Sequence, residues 1–149
     1  MALCYDSACR WPAKGRPVAV DRTSGKVRVT RVVCAYEAGL MINPDAVRAQ
    51  VEGNIIQAVS RTLNEEVLFD TAGVTSVDWS SYPILRFPEV PQVDVALINR
   101  PELPPVGAGE AASAPVAAVL ANAIFDATGV RLRTVPFTPA RVESALAKT

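Results

Sequence analysis

The stretch RVVCAYEAGLMINPDAVRAQVEGNIIQAVSRTLNEE, residues 31–66, decides the fold, because it places a strand directly before a long helix. Its first residues alternate between apolar and polar, as in a strand with one buried face. Gly39 ends this strand, and Asn43 with Pro44 supplies the cap and first-turn proline that begin many helices. Apolar residues then recur every three or four positions, which predicts an amphipathic helix over about 44–66. The stripe comprises Val47, Val51, Ile55, Ala58, Val59, Thr62 and Leu63.

On the N-terminal side of this stretch, the sequence predicts a β-hairpin. A short strand over 18–20 and a strand beginning at Val27 flank the turn residues 23–26, which include a glycine. Residues 1–16 have no periodic pattern, so we expect an irregular tail. We expect residues 17–149 to form a single domain.

On the C-terminal side, the elements are shorter and proline interrupts them often. We expect a second hairpin over 67–79, an extended loop over 80–91 and a strand over 93–97. Three further elements follow in the sequence: a small-residue helix over about 113–127 that ends at Gly129, a strand over 131–135 and a short helix over 139–147. Because strands and helices do not alternate regularly, the predicted fold class is α+β with a mixed sheet.

The composition excludes several classes of protein. The 149 residues fit one domain, half of them are hydrophobic, and 15 basic residues balance 15 acidic ones. A net charge of zero argues against a nucleic-acid binder, and the apolar fraction argues against a disordered chain. The longest apolar stretch, over 115–125, is too short for a membrane span, and the N-terminus lacks the pattern of a signal peptide.

The side chains available for chemistry are limited, because the chain has no histidine and only three cysteines. The usual zinc sites and the Ser-His-Asp and Cys-His catalytic arrangements are therefore nearly excluded, and we predict no metal ligands. A proton transfer in this protein would depend on a carboxylate, a Lys, a Tyr, a Cys or a bound cofactor.

Three polar or small residues share one stripe of the predicted long helix. Gln50, Gly53 and Gln57 lie at positions i, i+3 and i+7. A glycine inside a helix costs about 1 kcal/mol relative to Ala, and close approach to the backbone would compensate for this cost. The approaching group is either a polar ligand between the two amides or a neighbouring element of the same chain.

A glycine loop, Gly107-Ala108-Gly109-Glu110, precedes the small-residue helix. It matches the loose dinucleotide pattern GxGxxA, but the prolines before it are not a buried strand, which argues against a Rossmann site. The loop could instead bind an anionic or oxo ligand at a helix N-terminus. Glu110 is then a candidate general base, or it only complements the helix dipole.

Five motifs in one order resemble the C-terminal, molybdopterin-binding region of the molybdenum hydroxylases, the family of xanthine dehydrogenases and aldehyde oxidoreductases. The branch that looks nearest is the large (beta) subunit of isoquinoline 1-oxidoreductase-type enzymes. The motifs are Arg31 to Ala35 with Gly39 and Asn43-Pro44, Gln50 to Gln57, Tyr82 to Arg86 with Pro88 and Pro91, Gly107 to Glu110, and Ala121 to Ile124 with Gly129.

The resemblance implies the fold of the molybdenum-cofactor-binding domain and a role for each matching residue. Glu110 would be the catalytic base, and Gln50 would contact the pterin. Gly53, Gln57 and the loop residues Gly107, Ala108 and Gly109 would lie at the cofactor. The implied cofactor is molybdopterin cytosine dinucleotide, and the implied reaction is hydroxylation of an aldehyde or an N-heterocycle with water-derived oxygen.

The chain also departs from the family, whose large subunit is several times longer. Residues 1–16 match none of the motifs. We expect the partners to be the rest of the large subunit and a small iron–sulfur subunit, in the cytoplasm or, if the complex is exported, the periplasm. On its own the chain would be inactive and without cofactor, and the alternative is a non-catalytic remnant or interaction module. Exposure of the small-residue helix, over 111–127, would favour self-association.

Overall fold

The structure, a computed structural model, describes residues 18–148, and these begin with the predicted hairpin. Strand β1 (Val18–Val20) pairs antiparallel with β2 (Val27–Val29). The Asp21 carboxylate accepts hydrogen bonds from two backbone N–H groups of the turn. Gly25 has a φ of +68°, and a β-carbon built on it would lie 2.1 Å from the carbonyl oxygen of Pro139. The turn therefore requires glycine, because it packs directly on the start of the last helix. The predicted tail, residues 1–16, lies outside the described residues.

The strand predicted from Val27 onward is divided between two sheets. After β2, strand β3 (Arg31–Glu37) pairs in parallel with β6 (Gln92–Ile98) over its whole length. Two parallel strands need a long crossover between them, and the long helix is part of this one. As a result, the carboxyl ends of β3 and β6 meet at one edge, where the register pairs Glu37 with Ile98.

The long helix, α1 (Pro44–Leu63), begins as predicted. The side chain of Asn43 accepts a hydrogen bond from the backbone N–H of Ala46 at 3.0 Å, and Pro44 is the first helical residue. The predicted stripe is the face that packs on the core. The helix ends at Leu63, three residues earlier than predicted, with Asn64 as its C-cap.

The small-residue helix, α2 (Val116–Thr128), begins three residues later than predicted. A tight turn precedes it, in which the backbone N–H and hydroxyl of Ser113 both donate to the carbonyl oxygen of Glu110. Gly129 closes the helix with a φ of +80°. The expectation that this helix is exposed holds only for its outer face, which includes Ala118 and Phe125, whereas the other face is buried in the core. That face consists of Val116, Leu120, Ala123, Ile124 and Thr128.

The remaining elements are short. Strands β4 (Phe69–Asp70) and β5 (Gly73–Val74) form the second hairpin, and a 3-10 helix (Phe87–Glu89) lies in the proline-rich loop. Helix α3 (Pro139–Leu146) is capped by the Thr138 hydroxyl. The prediction of a strand over 131–135 is wrong. This segment alternates in polarity but finds no pairing partner among residues 18–148.

The α+β class is confirmed, with both parallel and antiparallel pairing. Among the described residues, the strands form three separate two-stranded sheets rather than one continuous mixed sheet. The apolar core lies between α1, α2 and the first hairpin; Val18, Val51, Ile55, Ile124 and Val142 are among its fully buried side chains. Within residues 18–148, no helix is both long enough and apolar enough to cross a membrane.

Candidate cofactor-binding site

The candidate site lies where the carboxyl ends of β3 and β6 meet, the usual position for ligand sites in parallel sheets. After β3 the chain turns at Gly39, and after β6 it runs through the proline-rich segment to the glycine loop (Gly107–Gly109). The two segments are joined by a hydrogen bond from the N–H of Val106 to the carbonyl oxygen of Ala38, at 3.0 Å. Gly39 has a φ of +68°, and a β-carbon on it would lie 2.2 Å from the carbonyl oxygen of Pro104. Only glycine fits at this turn.

Two side chains anchor the glycine loop by hydrogen bonds to its carbonyl oxygens. The Tyr36 hydroxyl donates to the carbonyl oxygen of Gly107 at 3.2 Å, and the Asn54 amide donates to that of Gly109 at 2.8 Å. Burial raises the pKa of the Tyr36 phenol, and the electrostatic effect of Cys34 acts in the same direction, so the hydroxyl stays protonated and can donate. Sequence reasoning assigned no role to Tyr36 or Asn54. The available signal was a polar residue, Asn54, within the apolar stripe of α1.

The loop backbone is held at its carbonyl oxygens and not at its amides. Within residues 18–148, no acceptor takes a hydrogen bond from the N–H groups of Gly107, Ala108 or Gly109. A β-carbon at Gly107 or Gly109 would meet no heavy atom within 4 Å. The loop therefore presents free backbone donors and an uncovered surface, which suit a polar or anionic ligand.

A groove of about 420 Å³ separates the loop from the first half of α1. Its wall contains Gln50 on the helix side and Ala108 and Gly109 on the loop side, and the remaining lining is mostly apolar. The structure thus brings together three of the predicted cofactor-binding residues, although Gln50 is more than fifty positions away from the two loop residues in the sequence. A polar amide opposite free backbone donors in an apolar groove is a common arrangement for an organic ligand.

Gly53 and Gln57 lie on the same helix as Gln50 and are exposed, outside the lining of the groove. A β-carbon at Gly53 would meet no heavy atom within 4 Å. Close packing of a neighbouring element of this chain therefore does not explain this glycine within the described residues. The alternative, a surface for a ligand or for another part of a larger protein, remains a prediction.

Glu110 is exposed and directly follows the anchored Gly109. Its carbonyl oxygen accepts both hydrogen bonds from Ser113, whereas its carboxylate has no hydrogen-bond partner within residues 18–148. Helix α2 begins only at Val116, six positions later. The interpretation that Glu110 merely complements the helix dipole is therefore wrong, because that effect is confined to the first turn. The expectation that a helix N-terminus directly follows the loop is wrong for the same reason.

Acidic and sulfur-containing side chains do not form a metal site in the part of the chain that the structure describes: no three of them converge as potential ligands. The fit of the groove to a molybdopterin therefore rests on the amide of Gln50, the free backbone N–H groups of the loop and the uncovered backbone of Gly109.

The sequence model of the molybdopterin cofactor-binding domain matches residues 11–91, more than half of the chain. The chain belongs to this family, the molybdopterin-binding region of the molybdenum hydroxylases. The match begins within the segment 1–16, which the motifs alone leave outside the family pattern, so that expectation is corrected for residues 11–16. The glycine loop lies beyond the matched range.

Individual members of the family support the assignment. The chain is 54% identical over 136 residues to a nicotinate dehydrogenase subunit of Pseudomonas putida, an alignment that covers 91% of this chain and 12% of that protein. It is 34% identical over 123 residues to the beta subunit of isoquinoline 1-oxidoreductase of Brevundimonas diminuta, covering 83% of this chain and 16% of that protein. The nicotinate dehydrogenase subunit is the more similar of the two. The chain thus spans less than a fifth of either relative.

The fold also matches that of a solved oxidoreductase. Quinoline 2-oxidoreductase from Pseudomonas putida 86 superposes with a TM-score of 0.77 at 31% identity, over 88% of this chain and 18% of that one. The α+β arrangement described above is therefore that of this oxidoreductase family.

Proposed function

We propose that this chain forms one wall of the cofactor site in the large subunit of a molybdenum hydroxylase. The observation that carries the proposal is that Gln50 and the loop residues Ala108 and Gly109 line the same groove. Membership in the molybdopterin-binding family supports an organic molybdenum cofactor. We propose the cytosine dinucleotide form, following the bacterial branch of the resemblance.

The residues of the groove have distinct parts in binding. The Gln50 carboxamide can both donate to and accept from the polar edge of a pterin. The backbone N–H groups of Gly107, Ala108 and Gly109 can donate to oxo or phosphate oxygens. Gly53 and Gln57 extend the same polar face along α1. When bound, the cofactor supplies the oxidising centre at which water-derived oxygen enters the substrate.

Glu110 is the catalytic base in this proposal. Its carboxylate would accept the proton of the water-derived oxygen as that oxygen attacks the substrate carbon. A base needs hydrogen-bond reach to the proton it takes, and the neighbouring Gly109 is fixed to α1 by a 2.8 Å hydrogen bond. The absence of a competing partner for this carboxylate among residues 18–148 supports the assignment.

The substrate class we propose is a nitrogen heteroaromatic rather than an aldehyde. The support is the 54% identity to the nicotinate dehydrogenase subunit and the structural match to quinoline 2-oxidoreductase. The groove is open to solvent, and the chain spans 12% of that nicotinate dehydrogenase subunit. We therefore propose that catalysis requires the rest of the large subunit and an iron–sulfur subunit, because a barrier is lowered only by groups held in fixed geometry.

The test is a graft of this chain in place of the matching segment of the Pseudomonas putida nicotinate dehydrogenase subunit. The grafted enzyme is expected to retain molybdenum and to oxidise nicotinate. Glu110→Gln in the graft should lower kcat at least about a hundredfold with unchanged molybdenum content, since a general base contributes about 10²–10⁴-fold. The matched control is Glu143→Gln, which alters an exposed carboxylate on α3.

Each proposal has its own contrary outcome. A folded graft without molybdenum would overturn the cofactor assignment, and a molybdenum-loaded graft inactive on nicotinate would overturn the substrate class. Full turnover by the Glu110→Gln graft would overturn the base.

A further inference from the structure

Asn54 occupies an unusual position, because it is a polar residue on the buried face of α1. Only 9% of its surface is exposed. Its side-chain nitrogen lies 2.6 Å from the carbonyl oxygen of Gln50, one turn earlier on the helix, and 2.8 Å from that of Gly109 on the glycine loop. One amide group therefore connects both walls of the groove.

The chemistry of the two contacts fixes which end of the amide faces them. Both neighbours are carbonyl oxygens, which only accept hydrogen bonds, so the NH₂ end must point at them. Its two hydrogens are then both used, one for each wall. Side chains of similar size do not reproduce this arrangement: an ionised aspartate has no hydrogen to donate, and leucine has no polar group.

We infer that Asn54 is a positioning residue, which fixes the glycine loop against α1 and so sets where the Glu110 carboxylate lies relative to Gln50. This inference rests on the proposed function, in which Glu110 is the base and Gln50 contacts the cofactor. The anchored residue, Gly109, is the one directly before Glu110. Tyr36 holds the other end of the loop at Gly107, three positions from the base, so its effect on Glu110 is smaller.

The test uses the grafted enzyme described above with Asn54→Ala and Asn54→Asp. The aspartate variant is nearly isosteric, so it preserves packing if the alanine variant folds poorly. We expect kcat to fall about ten- to a hundredfold, because displacements of about 1 Å have effects of this size. KM should change by less than about threefold, and molybdenum content should be unchanged, because Asn54 does not itself touch substrate. Tyr36→Phe should lower kcat less.

The matched control is Thr62→Val. Thr62 is buried on the same helix face, and its hydroxyl also donates to a carbonyl oxygen one turn earlier, that of Ala58 at 2.7 Å. It makes no contact with the loop. Thr62→Val should therefore lose stability as Asn54→Ala does but keep kcat within about twofold of the unsubstituted graft.

A pH profile separates positioning from a general loss of stability. The introduced aspartate would be largely buried beside two carbonyl oxygens, which favours its protonated form and raises its pKa. Below that pKa the acid donates one hydrogen bond and restores part of the anchor. The kcat of Asn54→Asp relative to the unsubstituted graft should therefore rise as the pH falls, whereas that ratio should stay flat for Asn54→Ala.

Two outcomes would overturn the inference in an active graft: kcat within about twofold for both Asn54 variants, or a loss of molybdenum that accounts for the lost activity. If the unsubstituted graft is inactive, the proposed function fails by itself, and the anchor is then measured in the 149-residue chain. Asn54→Ala should speed hydrogen exchange of the Val106 and Ser113 amides, which are hydrogen-bonded on either side of the loop, about tenfold relative to Thr62→Val. Equal exchange in the two variants would overturn the anchor.

Discussion

Gly39 and Pro104 approach so closely that a β-carbon on the glycine would stand 2.2 Å from the carbonyl oxygen of the proline. This contact joins the end of β3 to the segment that leads into the glycine loop. The turn at Gly39 therefore does more than end a strand, because it also fixes the position of the segment that leads into the glycine loop.

Gly39→Ala should destabilise the chain strongly. The positive φ costs a non-glycine residue about 1–2 kcal/mol, and the overlap with Pro104 adds about 1–3 kcal/mol, so we expect a loss of roughly 2–5 kcal/mol. Urea unfolding of the 149-residue chain measures this loss.

Gly129→Ala is the control for the overlap term. Gly129 also has a positive φ, +80°, but a β-carbon on it would meet nothing within 4 Å. Its substitution should therefore have only the conformational cost of about 1–2 kcal/mol. Equal losses for the two variants would contradict the tight contact between Gly39 and Pro104.

Gly53→Ala should stabilise the isolated chain but lower the molybdenum content of the assembled enzyme. In the 149-residue chain, the new methyl group meets nothing within 4 Å, and alanine is the better helix former by about 1 kcal/mol. The free energy of unfolding should therefore rise by about 0.5–1 kcal/mol. In the grafted enzyme, the methyl group would occupy a surface that the cofactor approaches, so molybdenum content should fall. A stabilised chain with undiminished molybdenum in the graft would show that the bare backbone at Gly53 is not a cofactor contact.

The sequence predicted best those elements whose determinants are local. Asn43 and Pro44 specify the start of α1, because capping and a fixed proline φ act within one turn. The segment 131–135 was predicted wrongly, since alternation of polarity favours a strand only if an edge is available to pair with it. The turn at Gly39 was predicted only as the end of a strand, because its contact with Pro104 joins distant parts of the chain.

The candidate site follows the same distinction. Spacing alone placed Gln50, Gly53 and Gln57 on one helix stripe, but no local pattern indicates that Gln50 faces Gly109. Only the resemblance to a known family predicted that these two regions meet. No role was predicted for Asn54, which connects them, because the function of an asparagine within an apolar stripe can be assigned only when its carbonyl partner is known.

The ion pair between Arg31 and Asp94, which joins the two parallel strands, should make the stability of the chain decrease in acid. The guanidinium of Arg31 on β3 donates to the Asp94 carboxylate on β6, and Gln92 donates to the same carboxylate. These hydrogen bonds lower the pKa of Asp94 below its ordinary value near 4. The folded-state pKa is thus below that of the unfolded chain, so the stabilisation is present at neutral pH and is lost as the pH falls through the folded-state value.

Asp94→Asn should therefore flatten the dependence of stability on pH between about pH 5 and pH 2. The effect should be modest because both side chains are partly exposed. Urea midpoints at several pH values measure it. Asp126→Asn is the control, since the Asp126 carboxylate accepts no hydrogen bond within residues 18–148 and is exposed. Parallel curves for the unsubstituted chain and Asp94→Asn would contradict the prediction.

Self-association of the isolated chain should depend on the β4–β5 hairpin rather than on α2. Phe69 and Val74 face each other across this hairpin, and 77% and 57% of their surfaces are exposed. The preceding Val67 and Leu68 are exposed as well, so apolar residues are concentrated here without cover from residues 18–148. A surface of this kind favours association, and in the proposed large subunit another segment would cover it.

Phe69→Ser should therefore shift the chain towards monomer, as measured by sedimentation velocity over a range of concentrations. The control is Phe87→Ser in the 3-10 helix, where an aromatic ring that is 93% exposed stands beside Pro88 and Glu89 rather than within an apolar hairpin. This variant should associate as the unsubstituted chain does. A chain that stays strictly monomeric at high concentration would contradict the prediction, and an equal shift for both variants would mean that exposed aromatic rings in general, not the hairpin, drive the association.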